Sequence, residues 1–244
     1  MKFKILVALL AATLTFASTV VNASLILGTG TGALVGGDLT DPENDGARNA
    51  DINYNATFNS NSEPGFGGGE FSFNVFDNVL TGGNGKWCCE SVGTAAKNLN
   101  DANVSGLWVE ANFGSTQYIL DAFTLSSAND VAGRDADQWR ILGSNDGVNY
   151  SSIFTYDNNG QSIWDKRFQV VEFSVAENDF FSPQAYSIFR YEAYSTVSAN
   201  AHQLGELEFF GTQSLAAAAQ VPEPSTLGIF ALALIAFGAR RFKK

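Results

Sequence analysis

The chain has 244 residues, 45% of them hydrophobic, which is enough to build a core of substantial size. Its 25 acidic and 14 basic residues give a formal net charge of −11, which argues against nucleic acid as a partner because contacts to phosphates require a basic patch. Only two cysteines and one histidine occur, so neither a disulfide framework nor a zinc site with several Cys and His ligands is expected.

The first 23 residues have the pattern of a secretory signal peptide. Lys2 and Lys4 precede the apolar run ILVALLAATLTFA, and Val21-Asn22-Ala23 forms a small-residue cleavage site. A membrane-spanning helix is the alternative, but a span needs about 20 apolar residues and several Thr and Ser interrupt this run. We therefore expect a signal helix in residues 1–23, with export and cleavage after Ala23.

Residues 24–66 are rich in Gly, Asn and Asp and contain few apolar runs. We expect an extended lead-in here, with edge strands around ILG and INYNATFN.

Between residues 67 and 212, short segments alternate apolar and polar residues with the period of two that is typical of half-buried strands. Turn residues bound each segment, and no stretch of comparable length has a helical period. The segments are EFSFNVF, LWVEANFG, QYILDAFTLSS, QWRILGS, YSSIFTY, FQVVEFSV, YSIFRYEAYS and ELEFFG. This pattern predicts an all-β protein, an antiparallel jelly-roll sandwich of about eight strands.

The two cysteines, Cys88 and Cys89, are adjacent. Neighbouring residues lie closer together than the usual disulfide geometry requires, so two thiols or a labile bond formed during export are both open. A catalytic cysteine is not favoured. His202 is the single histidine of the chain and gives no set of partners for a Cys–His pair.

Charged residues are concentrated in the segment between two of the expected strands. Arg134 is close in sequence to Asp130 and Asp135, and charge-assisted hydrogen bonds among them would order this loop. The later Asn145-Asp146-Gly147 sequence predicts a tight turn, since glycine tolerates positive φ.

Several motifs together resemble the coagulation factor 5/8 type C, or discoidin, domain of the galactose-binding-like superfamily. They are FDNVLTGGNGKWCCE, ANDVAGRDADQW, RILGSNDGVNY and the terminal LGELEFFG, and the resemblance extends from about Phe71 to Thr212. It implies an eight-stranded jelly roll whose loops at one end commonly bind glycans or lipid head groups. In many members of that family a structural calcium ion lies near those loops.

The same resemblance implies a calcium site in this chain. Glu206 matches the acidic residue of the last strand, and the loop that holds Asp77 and Asn84 matches the ligand loop. The chain departs from the family where Thr81 replaces an Asp and Gly85 replaces a common hydroxyl residue, which leaves fewer charged ligands. The alternative is that Glu206 merely faces solvent or caps a loop.

Four tryptophans offer flat apolar surfaces on which the C–H face of a sugar could stack. Trp108 and Trp139 lie within strand patterns and are assigned to the core. Trp164 lies in the polar segment DNNGQSIWDKR and is expected to be exposed. Trp164 and Trp87 are therefore the candidate ligand-binding aromatics, with a loop tryptophan folded over the barrel mouth as the alternative for Trp164.

The C-terminus consists of a small-residue linker, 213–220, and the segment VPEPSTLGIFALALIAFGARRFKK, 221–244. Its Pro222-Glu223-Pro224 motif, hydrophobic segment and basic end resemble the PEP-CTERM sorting signal of Gram-negative bacteria. The resemblance implies transient anchoring of a hydrophobic helix in the inner membrane and cleavage by an exosortase-type protease near 222–225. The basic end agrees with a cytoplasmic orientation.

The sequence thus predicts an exported, non-catalytic extracellular binding module for carbohydrate or exopolysaccharide, found at the cell surface or in the extracellular matrix. Two alternatives stay open, a structural surface or biofilm-matrix protein without a specific ligand and a carboxylate-dependent glycoside hydrolase. If the C-terminal cut falls just after Pro224, the mature chain has 8 basic residues against 25 acidic ones, a formal charge of −17.

Overall fold

The computed structural model describes residues 24–42, 54–63, 69–99, 101, 104–176, 180–181 and 184–214. The signal peptide with Ala23, the sorting signal 221–244 and the helices predicted in both lie outside the described residues. Within the described ranges, none of the helical segments has the length and apolar character needed to cross a membrane.

The described residues contain twelve strands joined by turns and three short 3-10 helical segments. The strands are β1 Leu25–Thr29, β2 Thr57–Ser60, β3 Trp87–Ser91, β4 Leu107–Asn112, β5 Tyr118–Ser126, β6 Ala136–Ser144, β7 Ser151–Asp157, β8 Gln169–Ser174, β9 Ala185–Tyr186, β10 Ile188–Thr196, β11 Ala201–Leu204 and β12 Glu206–Gln213. The 3-10 segments are Thr31–Ala33, Ser72–Phe76 and Ala132–Arg134.

Two five-stranded antiparallel sheets form the two layers of the sandwich. The first has the order β1-β8-β5-β12, with β9 also paired to β5, and the second has the order β2-β4-β10-β6-β7. A smaller sheet pairs β11 with β3. The structure confirms the all-β, antiparallel jelly-roll class, and seven of the eight alternating segments contain its long strands.

Aromatic side chains from the two sheets meet between the layers. Phe123 of β5 stacks on Phe173 of β8 with ring centroids 5.0 Å apart, and its edge meets Trp139 of β6 at 5.9 Å. All three side chains are fully buried. Edge-to-face and offset contacts of this kind stabilise a core beyond the burial of area alone.

The segment EFSFNVF is the exception to the strand prediction, because Ser72–Phe76 forms a 3-10 helical turn. The Asn74 side-chain amide donates to the main-chain oxygens of Gly69, Asn84 and Lys86, which curls the chain at this point. Side-chain bonds to the backbone compete in this way with a strand ladder.

Two strands lie in the lead-in segment, and they belong to the sandwich itself. Strand β1 pairs with β8 at the edge of the first sheet, and β2 pairs with β4 at the edge of the second. The N-terminal segment 24–42 is therefore built into the domain rather than leading up to it.

The predicted turn between β6 and β7 is also present. Asp146 Oδ1 accepts the main-chain N–H groups of Val148 at 2.9 Å and Asn149 at 2.7 Å, and Gly147 has φ +69°. These bonds, together with one from the Asn149 side chain, hold the pKa of Asp146 below its usual value.

Candidate functional site

Carboxyl groups from three distant parts of the sequence meet in one buried cluster, which we call the acidic cluster. Its members are Asp38 and Asp41 of the N-terminal segment, Asp77 of the loop before β3, and Glu206 and Glu208 of β12. Each of the five is at most 2% exposed. The sequence predicted Asp77 and Glu206 in a common site, whereas Asp38, Asp41 and Glu208 were not foreseen as members.

The amide of Asn78 lies at the centre of this cluster. Its main-chain N–H donates to Glu206 Oε1 at 3.1 Å, and its Nδ2 donates to Asp38 Oδ2 at 3.0 Å and to Asp41 Oδ2 at 3.2 Å. Asn78 is itself held at φ +54°, a conformation that asparagine tolerates better than most residues. One residue thus connects the N-terminal segment to the last strand.

Glu208 is bound by the N-terminal segment and by β5. The main-chain N–H of Gly36 donates to its Oε1 at 2.7 Å, and the hydroxyl of Thr124 donates to its Oε2 at 2.6 Å. The hydrogen bonds therefore fix Glu208 in place while leaving its negative charge without a cationic neighbour in this network.

Burial raises the pKa of three members of the cluster, Asp38, Glu206 and Glu208. For Glu206 the neighbouring Asp77 carboxylate raises the pKa further. In the described part of the chain, no Lys or Arg forms an ion pair with any of these three residues. Buried carboxyl groups in this situation must either bind protons or share a cation.

The oxygen atoms of the cluster suit a hard cation. Among the described residues, Glu206 Oε2, Asn78 Oδ1 and Thr81 Oγ1 are buried without a hydrogen-bond partner. Calcium prefers six to eight oxygen ligands of these types. A Cβ on Gly85 would collide with the Thr81 hydroxyl, so that hydroxyl fills the space beside Gly85.

Asn84, the other predicted ligand, contacts the loop through its main chain. Its main-chain oxygen accepts the Asn74 side-chain amide at 2.7 Å and the Lys86 N–H at 2.9 Å, so its contact is a loop-forming one. Asn78, rather than Asn84, is the amide that adjoins Asp77 and Glu206.

The burial of the tryptophans corrects the predicted ligand surface. Trp164 is 4% exposed, with its indole N–H 3.4 Å from the Leu125 main-chain oxygen, so its predicted exposure is wrong. Trp87 is 1% exposed and its ring meets His202 edge-on. Neither ring presents a face to solvent, which excludes sugar stacking on them in this conformation.

Trp139 is in the core as predicted, but Trp108 is not. Trp108 lies on the outer face of the second sheet, where the Arg190 guanidinium lies 3.7 Å from its ring centroid. The Tyr150 ring covers Arg190 from the other side at 3.8 Å, and Glu110 binds the Arg190 Nη2 at 2.7 Å. The Arg190 guanidinium therefore has two aromatic rings and one carboxylate as its partners within this stack.

The three residues predicted to order the loop before β6 bind different partners. Arg134 forms an ion pair of 3.9 Å with Asp130, as expected. Asp135 is instead bound by both terminal nitrogens of Arg167, at 2.7 Å and 2.5 Å. This bidentate pair ties the loop before β6 to the segment before β8.

A buried lysine binds the same Asp130 oxygen atom that pairs with Arg134. Lys86 is 2% exposed, and its Nζ lies 2.9 Å from Asp130 Oδ2, 2.8 Å from Asn129 Oδ1 and 3.4 Å from Glu70 Oε1. The lysine therefore holds two carboxylates from different loops in fixed positions. The sequence carried no periodic signal for this arrangement.

Cys88 and Cys89 are joined by a disulfide on β3. Cys89 Sγ lies 3.8 Å from Glu70 Oε2, and Cys88 Sγ lies 3.7 Å from Arg134 Nη1. Ligand atoms of Glu70 and the two cysteines come within 4.8 Å of one another. Because metal binding by cysteine requires the thiolate, the disulfide form offers no soft metal site here.

A cavity of about 310 Å³ opens beside the end of β3. Polar groups make up much of its wall, with hydroxyl, amide and charged side chains of both signs. They include Asn61, Ser62, Glu90, Lys97, Ser105 and Tyr194.

Residues 220–243 match the family model of the PEP-CTERM protein-sorting motif, which confirms the assignment made from the sequence. No curated protein matches the chain. The described residues form an antiparallel jelly-roll sandwich, which defines the fold class of the protein. The protein carrying this sandwich is an exported one with a C-terminal PEP-CTERM sorting signal.

Solved structures similar to this chain include carbohydrate-binding modules. The CBM62 module of Xyl5A from Clostridium thermocellum is 16% identical, with a TM-score of 0.46 over 65% of this chain and 96% of that module. The family 32 module of NanJ from C. perfringens, solved with galactose, is 15% identical, with a TM-score of 0.43 over 64% and 93%. Chitosan-binding module 2 from Paenibacillus sp. IK-5, solved with chitotriose, is 18% identical, with a TM-score of 0.43 over 64% and 97%.

His202 should make stability depend on pH. Burial lowers the pKa of His202 to about 4, below its usual value of 6.5, although its contact with the Arg134 main-chain oxygen opposes the shift. Between these values the unfolded chain binds a proton that the folded chain does not, so stability falls as pH drops from 6.5 toward 4. The full contribution is about 3 kcal/mol.

Urea unfolding of the wild type and of His202→Gln at several pH values measures this effect. All carboxyl groups are shared by the two proteins, so the difference between their profiles isolates the histidine. We expect the wild type to lose its free energy of unfolding more steeply below pH 6.5. Parallel profiles would show that His202 does not carry the effect.

Proposed function

We propose that this protein is an exported, non-catalytic carbohydrate-binding module. It holds a structural calcium ion and binds polysaccharide at the cell surface or in the extracellular matrix. The polar cavity beside β3 is the observation that carries the carbohydrate assignment. Sites for small polar ligands use a few fixed hydrogen-bonding groups within a concave surface. Hydroxyl, amide and oppositely charged side chains in one wall suit a ligand that presents many hydroxyl groups.

The acidic cluster supports the calcium part of the proposal. Asp77, Glu206 and the main-chain and side-chain oxygens around Asn78 would hold the ion, with Asp38 and Asp41 supplying carboxylates from the N-terminal segment. When bound, calcium would supply positive charge to carboxyl groups that otherwise have to be protonated to remain buried. In this role the ion stabilises the fold and takes no part in chemistry.

The sorting signal supports the location. We propose that the hydrophobic segment after Pro224 anchors the chain transiently in the inner membrane and that an exosortase-type protease then cuts near Pro222–Ser225. The released module would meet polysaccharide outside the cell. A module that binds none would instead be a structural spacer.

Calcium should raise the melting temperature of the secreted protein. A ligand at 100 times its dissociation constant adds about 2.7 kcal/mol of stability, which corresponds to a shift of about 5–10 °C for a domain of this size. Calorimetry in calcium and in chelator measures the shift, which Glu206→Gln should abolish.

Asp165→Asn, which removes an exposed carboxylate, is the matched control and should keep the shift. In chelator we expect Glu206→Gln to be at least as stable as the wild type, because it removes a carboxyl group that resists burial in its charged form. Equal melting temperatures with and without calcium would contradict the calcium proposal and leave the carbohydrate proposal standing.

The polar cavity should bind saccharide. Galactose and chitotriose, the sugars held by two of the similar modules, are the first probes, followed by a panel of polysaccharides. We expect saturable binding, and Glu90→Gln should weaken it at least fivefold because a charged acceptor for sugar hydroxyls in the cavity wall becomes a neutral amide. Isothermal titration calorimetry and affinity electrophoresis provide the measurement.

Glu172→Gln changes a carboxylate on β8 of the first sheet and should bind as the wild type does. Failure of the wild type to bind any saccharide in the panel would favour the alternative of a structural matrix protein. Release of reducing sugar from the same polysaccharides would instead support the hydrolase alternative.

The processing proposal predicts a defined C-terminus. Intact-mass measurement of the protein released by its native host should place the end between residues 221 and 225, without the hydrophobic segment. Replacing Pro222, Glu223 and Pro224 together by alanine should retain the full-length chain in the membrane fraction. Release of an uncut chain would contradict this step.

A further inference from the structure

Trp108 differs from the other three tryptophans in its exposure and in its neighbours. Trp87, Trp139 and Trp164 are at most 4% exposed, whereas Trp108 is partly exposed on the outer face of the second sheet. A single exposed apolar residue is common in soluble proteins and has no functional meaning by itself. The contacts around Trp108, however, fix the orientation of its ring and place it beside the polar cavity.

The orientation of the Trp108 ring is fixed by the Arg190 guanidinium, which lies 3.7 Å from the ring centroid. Glu110 fixes Arg190 in turn, because its Oε2 accepts the Arg190 Nε–H at 2.9 Å and the Tyr150 hydroxyl at 2.7 Å. The Tyr150 ring covers the guanidinium from the other side. The indole is therefore in place before any ligand arrives, which lowers the entropy cost of binding.

This stack uses only one face of the Trp108 ring. In the described part of the chain, the Arg190 guanidinium is the one cationic or aromatic group stacked on this indole. A guanidinium plane can cover one face of a ring but not both. The opposite face of the partly exposed indole is a flat apolar surface of the kind that suits the C–H face of a pyranose ring.

The main chain of Trp108 adjoins the wall of the polar cavity. Its N–H donates to Asn61 Oδ1 at 2.9 Å, and Asn61 Nδ2 donates to the Gly106 main-chain oxygen at 2.9 Å. Asn61, Gly106 and Leu107 all line the cavity, whereas Trp108 itself does not. The indole thus belongs to a residue directly beside the cavity wall.

The pairing of β4 with β10 sets the distance from Trp108 to the cavity. Trp108 lies opposite Glu192, and Tyr194, which lines the cavity, follows two residues later on the same face of β10. Diagonal neighbours of this kind are about 7–8 Å apart. Two linked pyranose rings extend further than this distance, so one saccharide chain can contact the indole and the cavity at the same time.

From this geometry we infer that Trp108 is the stacking platform for one unit of a neutral, linear polysaccharide whose neighbouring unit occupies the polar cavity. The inference rests on the proposed carbohydrate-binding function and adds a second subsite to it. A monosaccharide would occupy the cavity alone, whereas a longer chain would also bury the free face of the Trp108 indole. The protein therefore selects a polymer over a single sugar.

The charges around the indole favour a neutral polymer. The positive charge of Arg190 is balanced by Glu110, whose Oε2 lies 2.7 Å from the Arg190 Nη2, so this stack offers no unpaired cation to an anionic sugar. The whole chain has 25 acidic residues against 14 basic ones, which disfavours the approach of a polyuronate. A neutral polysaccharide meets no such repulsion.

The test measures how affinity depends on the length of the saccharide. The probes are the monosaccharide, disaccharide and tetrasaccharide of β-1,4-linked galactose, glucose and mannose, with a mannuronic acid tetrasaccharide as the anionic probe. Isothermal titration calorimetry gives the Kd of each probe for the secreted protein. In at least one neutral series we expect the tetrasaccharide to bind at least tenfold more tightly than the monosaccharide and than the anionic tetrasaccharide.

Trp108→Ala should remove the gain that the longer chain provides. We expect this variant to bind the tetrasaccharide at least tenfold more weakly than the wild type does, and to bind the monosaccharide within twofold of it, because the cavity is kept. Phe181→Ala is the matched control and should bind as the wild type does. It removes an exposed aromatic ring beside β7, at an edge of the same sheet.

Tryptophan fluorescence provides a readout that needs no variant. Because the other three indoles are buried, acrylamide reaches chiefly Trp108 and quenches its emission. We expect the tetrasaccharide to lower the quenching constant at least twofold and the monosaccharide to leave it unchanged. Melting temperatures of both variants are recorded in parallel, and the quenching measurement decides the question should Trp108→Ala fail to fold.

The outcomes separate this inference from the proposed function. A wild type that binds monosaccharide and tetrasaccharide equally well, with unchanged quenching, would overturn the Trp108 subsite and keep the carbohydrate-binding function. Equal binding of the tetrasaccharide by a folded Trp108→Ala would do the same. Binding of the mannuronic acid probe as tight as that of the neutral ones would overturn the neutral-polymer assignment. A wild type that binds none of the saccharides would overturn the proposed function and the subsite with it.

Discussion

The burial of carboxyl groups in the acidic cluster is the constraint that joins the beginning of the described chain to its end. Glu206 and Glu208 of β12 lie beside the Asp38 carboxyl group, and Asn78 bonds to both Glu206 and Asp38. The N–H of Leu39 extends the same contact by bonding to the Phe209 main-chain oxygen. An N-terminal segment that is polar and rich in glycine is thereby tied to the last strand by bonds to buried acids, in addition to the pairing of β1 with β8.

Alternating hydrophobicity was sufficient to predict the sandwich because every second residue of its long strands is a large apolar side chain in the core, as Trp139 and Ile141 are in β6. Where the pattern failed, in EFSFNVF, a single polar residue decided the outcome. Asn74 bonds to three main-chain oxygens, and the alternation around it is the same as in a true strand. The period of the sequence records which residues are apolar, but it does not record whether a side-chain amide will compete with the strand ladder.

The two strand tryptophans show why the site was harder to predict than the fold. Trp108 is paired with Glu192 of β10, whereas Trp139 is paired with the next residue, Ala193. A difference of one residue in register places the two rings on opposite faces of the sheet. Register depends on partner strands far away in the sequence, so the outward position of Trp108 has no local signal. The burial of Trp164 was not predicted for a similar reason. Its neighbours in the sequence are polar, but the ring packs in the core and its indole N–H lies near the Leu125 main-chain oxygen, a residue far away in the sequence.

The segment from Asp77 to Cys89 connects the acidic cluster with the disulfide. Asp77 is fixed at one end among buried carboxyl groups, and Lys86 is fixed near the other by its bonds to Glu70 and Asp130. Asn84 lies between the two ends, and its main-chain oxygen accepts bonds from Asn74 of the preceding 3-10 segment and from Lys86. The loop before β3 is thus held by buried carboxyl groups at its start and by a buried lysine at its end, so the acidic cluster that orders the N-terminal segment also helps to fix the start of the strand that leads to the polar cavity.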